Sequence, residues 1–113
     1  MTHTPDETIV YENLIRVEYR RQCGTKRFSD SDMLDLRIRA YYAIPESASK
    51  KKKQAMEDGE IRPTKKPDAD NVLKVVADSL NQLAYRDDAQ LVDTQLRKFY
   101  SRQPRLEVTI QNV

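Results

Sequence analysis

The amino-acid sequence predicts an α+β domain in which a mixed sheet of about three strands packs against helices. Residues 34–44 alternate apolar and polar side chains, which is typical of a half-buried strand. Residues 71–80 carry apolar side chains at helical spacing, and two further strand-like segments, 91–100 and 106–110, are separated by Pro104. With 113 residues, of which 38% are apolar, the chain is expected to form one compact domain.

The first element is predicted to be a helix. Thr4 is a suitable N-cap, a proline occupies the first helical position, and Gly24 favours an end after about Gln22. An apolar stripe is expected to face the core and consists of Val10, Leu14 and Val17. A polar loop over residues 25–32 leads from this helix to the first strand.

The apolar side chains of that strand share one face, which we expect to be buried: Leu34, Leu36, Ile38, Ala40, Tyr42 and Ile44. A short, charged surface helix is predicted over 47–58, with a serine cap and a glycine after its end. An extended loop with two prolines covers 61–68, and the apolar helix follows. A turn at 86–88 then precedes the last two strands.

Charge is distributed unevenly, although the net charge is only +2. Residues 50–66 contain seven Lys or Arg and three Asp or Glu, residues 67–93 contain two and six, and residues 94–105 contain four and none. This alternation fits ordinary solvated surface, and it also fits carboxylates that hold a metal ion between phosphate-binding cations. The near balance of charge excludes a histone-like polycation.

Composition excludes several classes of chemistry. One Cys and one His provide neither a disulfide framework nor a His/Cys zinc site. No apolar run approaches the roughly 18 residues of a membrane span, and the N-terminus lacks the pattern of a signal peptide, so a cytoplasmic location is expected. Catalysis by this chain would therefore depend on carboxylates, Lys and Arg.

The acidic segment contains Asp68-Ala69-Asp70 immediately before the apolar helix. Residues two apart in extended backbone point the same way, and Lys74 and Asp78 follow at successive helical turns. Two carboxylates suit Mg²⁺, which completes its octahedron with water and substrate phosphate. Helix capping would explain the same aspartates, and an exposed ion pair would explain Lys74. A second copy of the pattern, Asp30-Ser31-Asp32, is expected to be a solvated loop.

A longer set of motifs makes the pattern specific. It comprises Lys66-Pro67-Asp68-Ala69-Asp70-Asn71-Val72-Leu73-Lys74, Asp78-Ser79-Leu80-Asn81, Ala84-Tyr85-Arg86-Asp87-Asp88-Ala89-Gln90, Arg97-Lys98 and Pro104-Arg105-Leu106-Glu107-Val108. Together these motifs, within residues 60–110, resemble the RusA family of Holliday junction resolvases. Members of that family usually begin with a strand and a basic loop before the first helix, so the resemblance implies a chain that is shortened at its start.

The resemblance implies a small homodimeric endodeoxyribonuclease, often encoded by a prophage. Such an enzyme resolves four-way DNA junctions in recombination and repair by paired cuts that depend on Mg²⁺ or Mn²⁺. By position, the metal ligands would be Asp68, Asp70 and Asp88, and Lys74 would be the essential basic residue. Asp87 and Asp78 match acids of the family pattern without an assigned role. The alternative is a non-catalytic DNA-binding or structural module derived from such an enzyme.

Cations outside this acidic group are expected to hold the DNA backbone. The candidates are Lys50, Lys51, Lys52, Lys53, Lys65, Lys66, Arg97, Lys98 and Arg102. Tyr85, beside the acidic turn, is the aromatic candidate for contact with an opened junction. The two-fold symmetry of a junction and the sheet edges of so small a domain favour a homodimer, with residues 34–44 and the strands after Leu91 as contact elements.

Overall fold

A computed structural model of the protein describes residues 5–113. Its elements are α1 Pro5–Cys23, β1 Leu34–Ala43, α2 Lys50–Glu57, α3 Ala69–Ser79, a 3-10 turn Asp88–Gln90, β2 Leu91–Ser101 and β3 Arg105–Asn112. The predicted order of helices and strands is confirmed, and the bounds differ from the prediction by a few residues. The predicted cap at Thr4 lies outside the described residues.

The three strands form one mixed sheet in the order β2-β1-β3. The central strand β1 pairs in parallel with β2, from Leu34 opposite Leu91 to Ala43 opposite Ser101, and pairs antiparallel with β3. The predicted α+β class with a mixed sheet is therefore confirmed. Because both edges of β1 are hydrogen-bonded, residues 34–44 offer no free edge to a partner, contrary to the expectation, whereas β2 and β3 each keep one edge.

The core lies between one face of this sheet and the helices α1 and α3. Alternation in β1 turns its apolar side chains toward the helices, as predicted, and α3 contributes its apolar stripe. The buried residues of this cluster are Leu34, Leu36, Ile38, Ala40, Val72, Val76, Ala77, Leu80, Ala84 and Tyr85. We call this side of the sheet the helix face and the other side the open face.

The packing side of α1 differs from the prediction. Leu14 and Val17 are 61% and 57% exposed, whereas Ile15 and Tyr19 pack against the core. Ile15 and Tyr19 are four residues apart and therefore lie on the same side of the helix. The side chain of Val10 lies outside the described part of the chain. Two residues of the predicted stripe, Leu14 and Val17, are thus left largely solvent-exposed.

Asp35 is buried on the open face, where alternation alone predicts a solvated side chain. It is 7% exposed, and its carboxylate accepts hydrogen bonds from Gln111 Nε2 at 3.0 Å and from Arg37 Nε at 3.0 Å. The bond from Gln111, followed by the bond from Arg37 and its positive charge, lowers the pKa of Asp35. A carboxylate on β1 therefore contributes to joining β1 to β3.

The charged helix α2 is shorter than predicted, and its ends have local causes. The Ser49 hydroxyl accepts a hydrogen bond from the backbone N–H of Lys52 at 3.2 Å, and Gly59 follows the helix with φ +81°, which favours glycine. Met56 is the buried residue of this helix. Within residues 5–113, no helix is both long enough and apolar enough to cross a membrane.

Candidate active site

The start of α3 presents two carboxylates. Asp68 is the N-cap residue and Asp70 lies in the first turn, where the positive end of the helix dipole favours negative charge. The Asp68 side chain makes no capping hydrogen bond. Helix capping, the alternative explanation of this residue, therefore does not occupy its carboxylate in the structure.

The loop before Asp68 is held against the sheet by long-range hydrogen bonds. The Tyr42 hydroxyl donates to the carbonyl of Pro67 at 2.6 Å, and Lys98 Nζ donates to the carbonyl of Lys65 at 2.7 Å. Burial, together with the negative charge of Asp68, raises the pKa of Tyr42. The side chains of β1 and β2 thus fix where α3 begins.

The acidic turn before β2 is fixed by Gln90. Its Oε1 accepts from the backbone N–H groups of Arg86 and Asp87 at 3.0 and 3.2 Å, and its Nε2 donates to the carbonyls of Ser29 and Asp32 at 2.9 and 3.1 Å. Asp87 and Gln90 form a capping box around the 3-10 turn. One side chain therefore connects the acidic turn to the loop before β1.

Asp88 is half-buried within a group of acids. Its backbone N–H donates to Asn81 Oδ1 at 2.8 Å, which ties the turn to the end of α3. A hydrogen bond with Asp87, burial, and the negative charges of Asp87 and Asp78 raise the pKa of Asp88, while the same hydrogen bond lowers the pKa of Asp87. Crowded carboxylates of this kind repel one another, and a bound cation would relieve the repulsion.

A cleft of about 270 Å³ opens between α3 and β2. It is lined by Asp70, Leu73, Lys74, Ala77, Asp88, Leu91 and Thr94. Three of the four predicted catalytic residues, Asp70, Lys74 and Asp88, are thereby brought together from two elements, whereas Asp68 does not line the cleft. The ion pairs between described residues do not include Lys74.

The donor set of the cleft fits a hard divalent cation. Asp70 and Asp88 provide two carboxylates, and Mg²⁺ commonly takes one or two from a protein and its other ligands from water and phosphate. Among the side chains that the structure describes, those of residues 11–113, no three His, Cys, Asp or Glu are grouped to hold a metal ion. The role of Asp68 as a third ligand stays a prediction.

The predicted DNA-binding cations lie in different environments. Three lysines at the start of α2 are exposed, and the fourth, Lys53, is half-buried. The Lys98 ammonium lies 4.9 Å from the centre of the Tyr42 ring, and Arg102 forms an ion pair with Glu57 at 2.6 Å. Arg97 faces away from the cleft, because it is paired with Arg39 on the open face of the sheet.

Tyr85 is not available to DNA, contrary to the prediction. It is fully buried, and its hydroxyl donates to the carbonyl of Ala77 at 2.6 Å. Burial, followed by the charge of Asp88, raises its pKa. Tyr85 is therefore a core residue beneath the acidic turn.

Sequence reasoning assigned no role to three residues that shape the site. Asn81 and Gln90 hold the acidic turn, and Thr94 lines the cleft. The first two occur in the quoted motifs, which is a usable signal. Nothing in the sequence marks Thr94, because an irregularity in the pairing near Leu91 shifts the register of β2.

Comparison with known proteins places the chain in a family. The model of the family described as endodeoxyribonuclease RusA matches residues 1–111, so the chain belongs to the RusA family. The chain is also 51% identical over 78 residues to the uncharacterized protein YqaN of Bacillus subtilis (strain 168). That match covers 67% of this chain and 55% of the relative, so the aligned part spans about half of the relative's length. No solved structure matches the chain significantly.

Proposed function

We propose that this chain is a divalent-metal-dependent endodeoxyribonuclease that resolves four-way DNA junctions. The observation that carries the proposal is the convergence of Asp70, Lys74 and Asp88 on one cleft in a chain of the RusA family. Hydrolysis of a phosphodiester requires a nucleophilic water and neutralisation of the charge that develops on phosphate. Two carboxylates beside a lysine are suited to both tasks.

Each residue of the cleft has a distinct part in this proposal. Asp70 and Asp88 would hold Mg²⁺ or Mn²⁺, with Asp68, the N-cap residue of α3, as a proposed further ligand. A metal ion held there would supply a nucleophilic water at neutral pH and would neutralise phosphate charge. The Lys74 ammonium stabilises a phosphate oxygen in the transition state. Gln90 and Asn81 fix the backbone of the turn that carries Asp88.

The exposed lysines of α2 and the loop lysines Lys65 and Lys66 provide the contact with the DNA backbone in this proposal. Each neutralised phosphate makes the slope of log affinity against log salt more negative by about 0.9. Replacement of residues 50–53 by alanine should therefore flatten the salt dependence of junction binding. An unchanged slope would mean that these lysines are solvated surface.

The nuclease proposal is tested by metal titration with a synthetic four-way junction. Cleavage should be absent in EDTA, appear as Mg²⁺ or Mn²⁺ is added, and yield two symmetric nicks. A chain that binds the junction and cuts it at no metal concentration would instead be a non-catalytic DNA-binding module. Failure to bind any DNA would contradict both functions.

We also propose that the active form is a homodimer. A largely apolar groove of about 520 Å³ runs between α1 and the edge strand β3, lined in part by Ile15, Tyr19, Leu106 and Val108. The exposed Leu14 extends the apolar surface of α1. The radius of gyration, 15.5 Å, exceeds the roughly 13 Å expected of a compact chain of this length. A second copy would cover this surface and match the two-fold symmetry of a junction.

Sedimentation at micromolar concentration tests the assembly. Leu14→Glu should yield monomers, whereas Val92→Glu, at a comparably exposed apolar position on β2, should not. A supercoiled cruciform plasmid reports the coupling of the two cuts, because paired cuts give linear DNA and single cuts give nicked circles. A wild-type monomer that gives only nicked circles would contradict the dimer and leave the nuclease chemistry standing.

A further inference from the structure

The open face of the sheet carries a row of arginines on the side opposite the cleft. Arg37 and Arg39 are two residues apart on β1, Arg97 is paired with Arg39 from β2, and Arg105 lies on β3. All four are exposed. Register places them on one side of the sheet, because paired residues point the same way, whereas Thr94 is paired with the buried Leu36 and faces α3.

Aromatic rings hold the outer arginines of this face in place. The rings of Tyr41 and Phe99 stack with centroids 5.5 Å apart. The Arg105 guanidinium lies 4.0 Å from the centre of the Tyr41 ring, and the Arg62 guanidinium lies 4.5 Å from that of Phe99. Arginine side chains stacked on rings are already restricted in the free protein. They therefore lose less conformational entropy when they bind a ligand.

The arginines of the face differ in their ion pairs. Arg37 forms an ion pair with Asp35 and Arg105 forms one with Glu107, both at 3.0 Å. Arg39 is paired with Arg97 on β2 and with Glu107 on β3, but neither Arg39 nor Arg97 occurs in an ion pair with another described residue. Both guanidinium groups are therefore available to an anion, whose charge would also offset the repulsion between them.

We propose that this arginine face binds the phosphate backbone of DNA and forms a second DNA contact, separated from the cleft by the thickness of the sheet. The guanidinium fork matches phosphate oxygens, and residues two apart on a strand place guanidinium groups about 6.7 Å apart along it. The exposed neighbours Gln95 and Thr109 add hydrogen-bonding groups. The identity of the polyanion as DNA rests on the proposed nuclease function.

Charge disfavours other occupants of the face. A second copy docked face to face would set arginines against arginines, and such like-charge contacts disfavour association. The acids of the face are Asp35, Asp93 and Glu107, and two of them are already paired with arginine. The unpaired positive charge is therefore concentrated at Arg39 and Arg97.

Salt-dependent DNA binding tests the proposal with matched variants. The double variant Arg39→Gln with Arg97→Gln removes two charges from the face, and Arg20→Gln with Arg27→Gln removes two from the surface of α1 and the following loop. Binding of each to a fluorescent four-way junction and to a linear duplex is measured over a range of salt. The slope of log affinity against log salt should fall in magnitude by about 1.8 for the face variant and stay unchanged for the control.

A conservative pair checks that charge is the cause. Arg39→Lys with Arg97→Lys should keep the wild-type slope, because lysine also neutralises phosphate. The glutamine variant should retain the wild-type melting temperature without DNA, because both side chains are exposed and substitutions at such positions usually change stability little.

Three outcomes would overturn the inference. An unchanged slope in the glutamine variant, with wild-type binding intact, would overturn it and leave the nuclease function standing. A changed sedimentation coefficient with an unchanged slope would assign the face to a protein contact. Absence of DNA binding by the wild-type chain would remove the proposed function and this inference together.

Discussion

The sequence Asp-x-Asp occurs twice in this chain, and the fold uses the two copies differently. In the first copy, Asp30 lies 3.6 Å from Arg27 and 4.0 Å from Arg86, and Asp32 accepts a hydrogen bond from the backbone N–H of Ser29 at 3.0 Å. In the second copy, Asp68 caps α3 only by position, and Asp70 lines the cleft. The first copy closes a loop, and the second leaves its carboxylates open to a ligand.

This comparison shows that the pattern itself carries little information about function. A carboxylate with a structural role accepts hydrogen bonds from nearby groups, as Asp32 accepts one from the backbone N–H of Ser29. A carboxylate with a ligand to bind must be positioned by the fold and left without a competing partner. Substitutions in the two copies and around them test that distinction.

The largest effect is expected for the carboxylates of the cleft. Asp70→Asn and Asp88→Asn should each slow junction cleavage at least about 100-fold, because the loss of a charged metal ligand removes several kcal/mol of transition-state stabilisation. Junction binding should persist. Single-turnover cleavage of a labelled four-way junction, beside a binding assay, measures both.

Asp30→Asn is the matched control, because it removes only long, exposed ion pairs. It should cut at the wild-type rate. Equal losses in Asp30→Asn and Asp70→Asn would contradict the distinction between the two copies and indicate a general loss of folding.

Lys74 should rank next. Lys74→Gln should reduce the cleavage rate about 10- to 100-fold at saturating metal, since it removes a charge beside the reacting phosphate. Arg20→Gln, which removes one charge from α1, should leave the rate unchanged. A Lys74→Gln variant with normal cleavage and lowered stability would instead assign this lysine to the fold.

Asp68 is an intermediate case, because it belongs to the second copy but does not line the cleft. Asp68→Asn should raise the Mg²⁺ concentration required for half-maximal cleavage about 10-fold, with a smaller loss at saturating metal. A loss as large as that of Asp70→Asn would mean that bound DNA or metal draws Asp68 into the cleft.

Gln90 connects the acidic turn to the loop before β1. Its replacement tests how much cleavage depends on the position of Asp88. Gln90→Ala removes its four hydrogen bonds and should lower the free energy of unfolding by about 1–2 kcal/mol. Urea unfolding measures this, and Asp32→Ala, which loses one such bond, should cost less. Cleavage should fall more than for Asp32→Ala, because Asp88 loses its support.

The smallest effect is expected for Asp35, a carboxylate that the fold uses fully. Its pKa is lowered in the folded chain, so the stability that it contributes is present above the ordinary carboxyl pKa of about 3.9 and is lost as pH falls through the folded value. The melting temperature of the wild type should therefore fall more steeply below about pH 4 than that of Asp35→Asn. Equal slopes of melting temperature against pH in the two proteins would show that the charge of Asp35 does not contribute to stability.

Local patterns in the sequence determined the elements of this protein. Alternation predicted β1 and its buried face, helical spacing predicted α3, and glycine and serine marked the ends of α2. These features depend on neighbouring residues, which is why the sequence carries them directly. The motifs also named Asp70, Lys74 and Asp88 through a family resemblance that the family comparison confirms.

The packing of these elements against one another is seen only in the tertiary structure. The order β2-β1-β3, the inward turn of Ile15 and the burial of Tyr85 depend on which surfaces pack together. Asp70 and Asp88 share a cleft because α3 lies beside β2, although 17 residues separate them in the chain. Distant segments come together through many weak contacts, and no local sequence pattern predicts which segments will pack.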